Sequence, residues 1–301
     1  MSDLISYLFE TNAIKICAQD KPFFYTSGKI GPYFINTHFL YGSEKEASEF
    51  LSYIDELLAD RVNLPKKVFE KVLAQYENNK IYKDTIDTMV QTIKENVNVD
   101  EIDYISGGER RDWYFSNIIA YLLKKPHLTI FKDVETFISP YDFSSTEKIE
   151  DLNGKTVLHA TDLVTTATSY IRSWIPAIEK LNGKFNWTCY VVDRKQGGTE
   201  IIEDKRIKAL PLVFVDPSLF QKIYEMNVIN QEQLDMLNKF EYKDIVYKGA
   251  TKYFSDSKET NQAVEKIIEI ANKNDKTTIL ATPVITLLLR SLAALFMAAA
   301  P

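Results

Sequence analysis

The stretch that most limits what this chain can fold into is residues 156–169. It opens as the apolar run Val157, Leu158, His159, Ala160, passes the acid Asp162, and ends in Thr165, Thr166, Thr168 and Ser169. A helix-period segment follows through Ile171, Trp174, Ile175, Ile178 and Leu181. That order predicts a strand, a tight turn and a helix start. A helix start presents unpaired backbone N–H groups and the positive end of a dipole, and four hydroxyl side chains there suit the oxygens of a phosphate monoester. The acid just before it suits a sugar diol. The plainer alternative is that Thr168 or Ser169 only caps the helix, because Ala167 stands where a phosphate loop usually has glycine.

The surroundings carry the same alternation. Short apolar runs at 102–106, 128–131, 157–160, 186–192 and 207–215 are separated by helical patterns at about 113–124 and 169–182. This predicts an α/β fold with a doubly wound, mainly parallel sheet, whose ligands bind at the carboxyl ends of the strands. Upstream, Leu4, Ile5, Leu8, Phe9 and Ile16 predict a first helix over 3–16, and aromatic and polar residues alternate over 23–39 as in a hairpin or hood. Ser43, Glu44, Lys45 and Glu46 form a capping box, and two more helices follow, one starting near Pro65 with Val68, Val72, Leu73 and Tyr76 and another carrying Ile86, Met89, Val90 and Ile93. These helices read as scaffold. Downstream, 217–240 and 261–271 are amphipathic. The expected segments are therefore an N-terminal helix, hood and helical insertion (1–100), a core (101–216), a helical extension (217–276) and an apolar tail (277–301).

The tail is out of character with the rest. Ten Ile, Leu, Val or Phe residues in 279–300 at about −0.5 kcal/mol each outweigh about +3 kcal/mol for Arg290 only marginally. A tail anchor, a buried terminal helix and a non-native reading-frame end all stay open, though nothing else in the chain suggests a membrane. A length of 301 residues with 45% apolar content can bury a full core. A net charge of −6 and a pI near 5.3 argue against a nucleic-acid surface. Cys17 and Cys189 lack metal or disulfide spacing, and the start has no basic region leading into an apolar one, so a cytoplasmic protein is expected.

Residues 161–169 resemble the phosphoribosyl-pyrophosphate (PRPP) signature of type I phosphoribosyltransferases, two acids and an apolar pair before Thr-Thr-Gly-Gly-Ser. Three further stretches, in matching order, resemble the orotate branch of that family. Residues 24–36, with Ser27-Gly28-Lys29 and Pro32-Tyr33-Phe34, are similar to its N-terminal Lys-Ser-Gly-Arg and Ser-Pro-Tyr-Phe segment. Gly107-Gly108-Glu109-Arg110-Arg111-Asp112 resembles its pyrophosphate loop, and Asp193-Arg194-Lys195-Gln196-Gly197-Gly198 its Asp-Arg-x-x-Gly-Gly turn. The likeness covers residues 4 to about 215 and fades beyond Asp216.

The resemblance implies Mg²⁺-dependent transfer of a phosphoribosyl group from PRPP to orotate, with the metal carried by the substrate rather than by a protein cage. It implies that Thr165, Thr166, Ala167, Thr168 and Ser169 cradle the 5′-phosphate, that Gly108, Glu109, Arg110 and Arg111 meet the pyrophosphate, and that Asp162 and Lys132 are the catalytic candidates. Tyr33 and Phe34 would stack on the base and Arg194 would pair with it, and a homodimer is implied. By themselves, two adjacent arginines are more often solvated surface, strand aromatics are usually core, and Asp193-Arg194 can be an internal turn pair. His127 and His159 read as structural.

The departures are specific. Thr161 replaces the first acid of the signature, Ala167 its glycine, and Thr26 a lysine before Ser-Gly. Where the orotate branch has a mobile Lys-x-x-x-Lys-x-His run that closes over PRPP, residues 132–139 keep only Lys132. Two alternatives follow: a catalytically weak relative that binds PRPP or a nucleotide as a regulator, or transfer to another base.

Overall fold

The computed structural model describes residues 2–18, 23–24 and 30–239. The helix expected over 261–271, the tail and the whole of Ser27-Gly28-Lys29 lie outside them. In chain order the elements are α1 (Ser2–Glu10), β1 (Ile14–Ile16), β2 (Phe23–Phe24), β3 (Ile30–Gly31), β4 (Tyr33–Ile35), α2 (Glu44–Leu57), α3 (Leu64–Asn78), α4 (Lys80–Asn96) and β5 (Tyr104–Gly108). There follow α5 (Trp113–Leu123), β6 (His127–Ile130), β7 (Thr136–Ser139), β8 (Glu147–Lys148), β9 (Thr156–Val164), α6 (Ile175–Lys180), β10 (Lys184–Asp193), α7 (Gly198–Asp204), β11 (Lys208–Phe214), α8 (Pro217–Glu225) and α9 (Gln231–Lys239). They divide into two compact units, Met1–Ile14 with Ile35–Leu219, and Lys15–Phe34 with the chain from Phe220 onward.

The first unit is built on a seven-stranded sheet of order β11-β10-β9-β5-β6-β7-β8. The five strands from β11 to β6 run parallel, and β7 and β8 add antiparallel to the far edge. The step from β5 through α5 to β6 goes one way along the sheet, and the step from β9 through α6 to β10 goes the other. Right-handed crossovers therefore set α5 and α6 on opposite faces, and the strand order reverses between β5 and β9. α5 is apolar around most of its circumference, with Trp113 to Ala120 all buried. Such a helix must be covered on both sides: it packs on β5 and β9 and is backed by α3 and α4. The inserted helices are thus a second layer over one face of the sheet.

Local sequence explains the ends of these elements. The Ser43 hydroxyl accepts from Glu46 N at 3.1 Å, the capping box that starts α2. α1 is shorter than the periodicity suggests. Asn12 turns the chain with φ +60 after Glu10, so Ile16 belongs to a strand and not to the first helix. The helix expected over 169–182 is irregular as well. Residues Tyr170–Trp174 are π-helical and α6 follows with proline near its first position. Pro176 has no N–H for the carbonyl one turn back, and Ile175 N bonds Tyr170 O instead, which widens the turn.

In the second unit, β2 pairs antiparallel with β3, β1 and β4 form a two-stranded sheet, and Cys17 N donates to Pro32 O at 2.8 Å. α9 fastens to the same segment through Gln233 Nε2, which donates to Cys17 O at 2.9 Å. Tyr33 is only 1% exposed and packs its ring 6.3 Å from Phe220, whereas Phe34 is half-buried, 5.9 Å from the Phe23 ring.

Candidate active site

The carboxyl ends of β5 and β9 border a cavity of about 350 Å³. It lies where the strand order reverses, the position at which open α/β sheets take their ligands. Three segments supply the wall: the turn after β5, the start of the β6–β7 turn, and the loop after β9.

β9 runs past the apolar stretch to Val164, so Thr161 and Asp162 are its last polar residues before the loop. The loop is then folded by backbone bonds rather than by glycine. Ala167 takes φ +52, a left-handed conformation that costs an alanine about 1 kcal/mol, and its carbonyl accepts from Ile171 N at 3.1 Å. Thr166 and Thr168 share a hydroxyl bond at 3.0 Å, and Ser169 stands at the N-cap position without making a side-chain cap bond. Capping therefore does not account for Ser169, and Thr165 to Ser169 all line the cavity.

The Asp-Arg-x-x-Gly-Gly turn after β10 holds this loop from behind. Arg194 N donates to Val164 O at 3.0 Å and Gly198 N to Thr165 O at 3.1 Å. Asp193 is occupied inside the turn, accepting from Lys195 N at 2.6 Å and the Thr199 hydroxyl at 2.7 Å. Arg194 itself is not among the residues that line the cavity. Tyr33 and Phe34 belong to the other compact unit.

On β5, both glycines allow close approach from the two faces: a Cβ on Gly107 would collide with Ser116 of α5, and one on Gly108 with the Trp174 indole. The chain then turns through Glu109, Arg110 and Arg111, all at the cavity, and the Glu109–Arg110 peptide is cis. Arg110 is ion-paired to Asp55 of α2. Lys132 reaches the Glu109 carboxylate at 3.4 Å, and its own N–H donates to the same group at 3.2 Å.

Residues 132–139, aligned above with a mobile loop, are a tight corner running into β7. Phe131 N donates to Glu135 O at 2.9 Å, and Val134 takes φ +65. Arg61, between α2 and α3, pairs with Asp133 at 2.8 Å and with Glu135 at 2.5 Å, and its guanidinium lies 4.5 Å from the Phe131 ring centre.

Asp162 is the least satisfied group in the cavity. Its Oδ1 accepts from Leu163 N at 2.7 Å, while Oδ2 is buried and finds no hydrogen-bond partner among the described residues. Burial, then the neighbouring Asp112 carboxylate, push its pKa up to about 7 against the opposing Arg111 charge. Nearby His38 is held down to about 3, first by burial and then by Arg111 and Arg110, so it stays neutral.

Sequence reasoning gave Asp112 no role. Its Oδ2 accepts from Gly108 N at 2.9 Å and meets His159 Nε2 at 3.2 Å, and its Oδ1 accepts from the Thr161 hydroxyl at 2.5 Å. His159 is itself fixed by Ser106 at 2.9 Å. An acid at a helix start reads as a cap, but Asp112 makes no side-chain cap bond to α5. The other histidine of the sheet, His127, is fully buried between Ser116 at 2.9 Å and Thr129 at 3.0 Å.

Among the described residues no cluster of three or more His, Cys, Asp or Glu side chains is placed to hold a metal. No helix among them is long and apolar enough to cross a membrane.

No protein-family model matches the sequence, and no curated protein matches it. Solved structures do. The orotate phosphoribosyltransferase of Francisella tularensis superposes with a TM-score of 0.51 at 16% identity, over 79% of this chain and 97% of its own. The UMP synthase of Leishmania donovani gives 0.51 at 14% identity over 78% of this chain, which spans 41% of that protein's length. At such identities the likeness speaks for architecture. The chain has the α/β fold of the type I phosphoribosyltransferases, and orotate phosphoribosyltransferases are among the structures that share it.

Proposed function

We propose that the protein is a phosphoribosyltransferase that moves the ribose 5-phosphate group of PRPP onto orotate, releasing pyrophosphate. The observation that carries this is one cavity at the switch point where an uncapped hydroxyl loop, two arginines and a buried carboxylate with an unpartnered oxygen meet. The loop from Thr165 to Ser169 takes the 5′-phosphate through hydroxyls and backbone amides. Asp162 Oδ2 accepts from the ribose hydroxyls. Arg110 and Arg111 face the pyrophosphate, and Gly108 and Glu109 shape the turn that carries them. Lys132 adds a further positive charge.

In the reaction a ring nitrogen of the base attacks C1 of the ribose as the C1–oxygen bond to pyrophosphate breaks. Positive charge gathers on the sugar beside Asp162, and negative charge on the leaving group beside the arginines. Mg²⁺ bound to the substrate would neutralise part of the pyrophosphate charge. The residues fit an ion carried in this way, because Asp162 Oδ2 would face it through the ribose hydroxyls. Arg194, Tyr33 and Phe34 remain the candidates for the orotate side, and a cytoplasmic homodimer is part of this reading.

A second reading has its own support in the corner held by Arg61 and in the pairing of Arg110 with Asp55 and of Lys132 with Glu109. Cations occupied in this way suit a protein that binds PRPP or a nucleotide as a regulator. The test is orotate consumption, followed by absorbance with PRPP and Mg²⁺, in the wild type, Asp162→Asn and Arg194→Ala. Consumption in the wild type that both variants lose is the expected result. PRPP binding that Asp162→Asn weakens, with no turnover by the wild type, would overturn the transferase in favour of the regulator.

A further inference from the structure

The loss of the first signature acid leaves Thr161 beside Asp162, and a hydroxyl can face a ligand as donor or as acceptor. Its neighbour decides which. Asp112 Oδ1 lies 2.5 Å from Thr161 Oγ1, while Asp162 Oδ1 is 3.5 Å away, so the Thr161 proton is committed to Asp112. A carboxylate can only accept, which fixes the direction of the bond and leaves the lone pairs of Thr161 for a ligand. Asp112 cannot move to do otherwise, since Gly108 N and His159 Nε2 hold its other oxygen. Both Asp112 and Thr161 line the cavity, next to the unpartnered Asp162 Oδ2.

We propose that Asp112 replaces the missing signature acid through space. It is a positioning residue that turns the Thr161 hydroxyl into an acceptor, so that Thr161 Oγ1 receives the 2-hydroxyl proton of a ribose diol and Asp162 Oδ2 the 3-hydroxyl proton. This rests on the phosphoribosyl reading above and names the group that completes its sugar-recognising face. The carboxylate arrives from the pyrophosphate turn on β5 instead of from β9, which ties that turn to the diol side through one side chain.

The probes are ribose 5-phosphate and 2-deoxyribose 5-phosphate, titrated calorimetrically into the full chain. The wild type should bind the ribose form about tenfold more tightly, the scale of one hydrogen bond in a charged setting. Thr161→Val should bind the two alike. Asp112→Asn should also lose the preference, because its amide can serve Gly108 N–H through oxygen only by pointing its NH₂ at Thr161, which reverses the hydroxyl. Moving the acid back into β9, in the double variant Asp112→Asn with Thr161→Asp, should restore the preference, whereas Thr161→Asp alone sets two carboxylates against each other and should not. A merely structural role for Asp112 would weaken both sugars equally and would not be rescued from position 161. An undiminished preference in Asp112→Asn overturns this proposal alone. A wild type that binds neither sugar phosphate overturns the phosphoribosyl reading and this proposal with it.

Discussion

Asp162 shows how one residue can be favourable for a site and unfavourable for the fold. Its carboxyl titrates near 7 in the folded protein against 3.8 in the unfolded chain, so between those values the folded state holds more protons. Stability should therefore fall as pH rises from about 4 to about 7, by at most roughly 1.4 kcal/mol per pH unit for this one group. Asp162→Asn removes that slope. It should match the wild type in urea titrations near pH 4 and exceed it at pH 7 to 8, while sugar-phosphate binding drops. Parallel stability profiles for the two proteins would show that the carboxyl is not buried as described. The sequence drew attention to Asp162, since it stands in a strand–turn–helix pattern with hydroxyl residues just after it. Asp112 was not legible, because its meaning depends on Thr161 and His159, which lie on a strand far away in the chain and come near it only through the pairing of β5 with β9.

At the scale of elements, the loop after β9 owes its shape to the turn after β10. A Cβ on Gly198 would stand 2.6 Å from Thr165 O, 2.7 Å from Val164 Cγ1 and 2.9 Å from Ala167 N, whereas nothing lies within 4 Å of one on Gly197. The two glycines should therefore respond differently to alanine. Gly197→Ala, at φ +86, pays a local conformational cost of about 1 kcal/mol and should leave ribose 5-phosphate binding as it was. Gly198→Ala must push the loop after β9 away, with an overpacking cost of about 1–3 kcal/mol, and should weaken that binding at least tenfold as well as lowering Tm. Equal effects of the two on binding would separate the turn from the loop. The five parallel strands were readable from short continuous apolar runs, because a strand buried on both faces carries its signal in composition alone. The π-helical turn before α6 was not, since a single proline changes the hydrogen-bond register without disturbing the apolar spacing.

Across the larger compact unit, the corner between α2 and α3 is joined to the walls of the cavity at two places, through Asp55 to Arg110 and through Arg61 to Asp133 and Glu135. The helices read as scaffold from the sequence do cover α5, but their corner also reaches two of the segments that wall the cavity, which periodicity could not reveal. Asp55→Ala should free Arg110 for an anion. Asp55 is 44% exposed, so solvent screens the pair, and the gain in affinity for inorganic pyrophosphate by calorimetry should stay within about fivefold. A loss of affinity would mean that Asp55 orients Arg110 rather than competing for it. Arg61 has the opposite kind of influence. By gripping the corner between β6 and β7 on both flanks and covering the Phe131 ring, it opposes any swing of that corner across the cavity. A molecule bound beneath a corner held in this way would keep its hydration on that side. Selection would then come from the fit of fixed groups and not from enclosure, and if the proposed transfer holds, an activated sugar there would stay within reach of water, so slow hydrolysis should accompany the transfer.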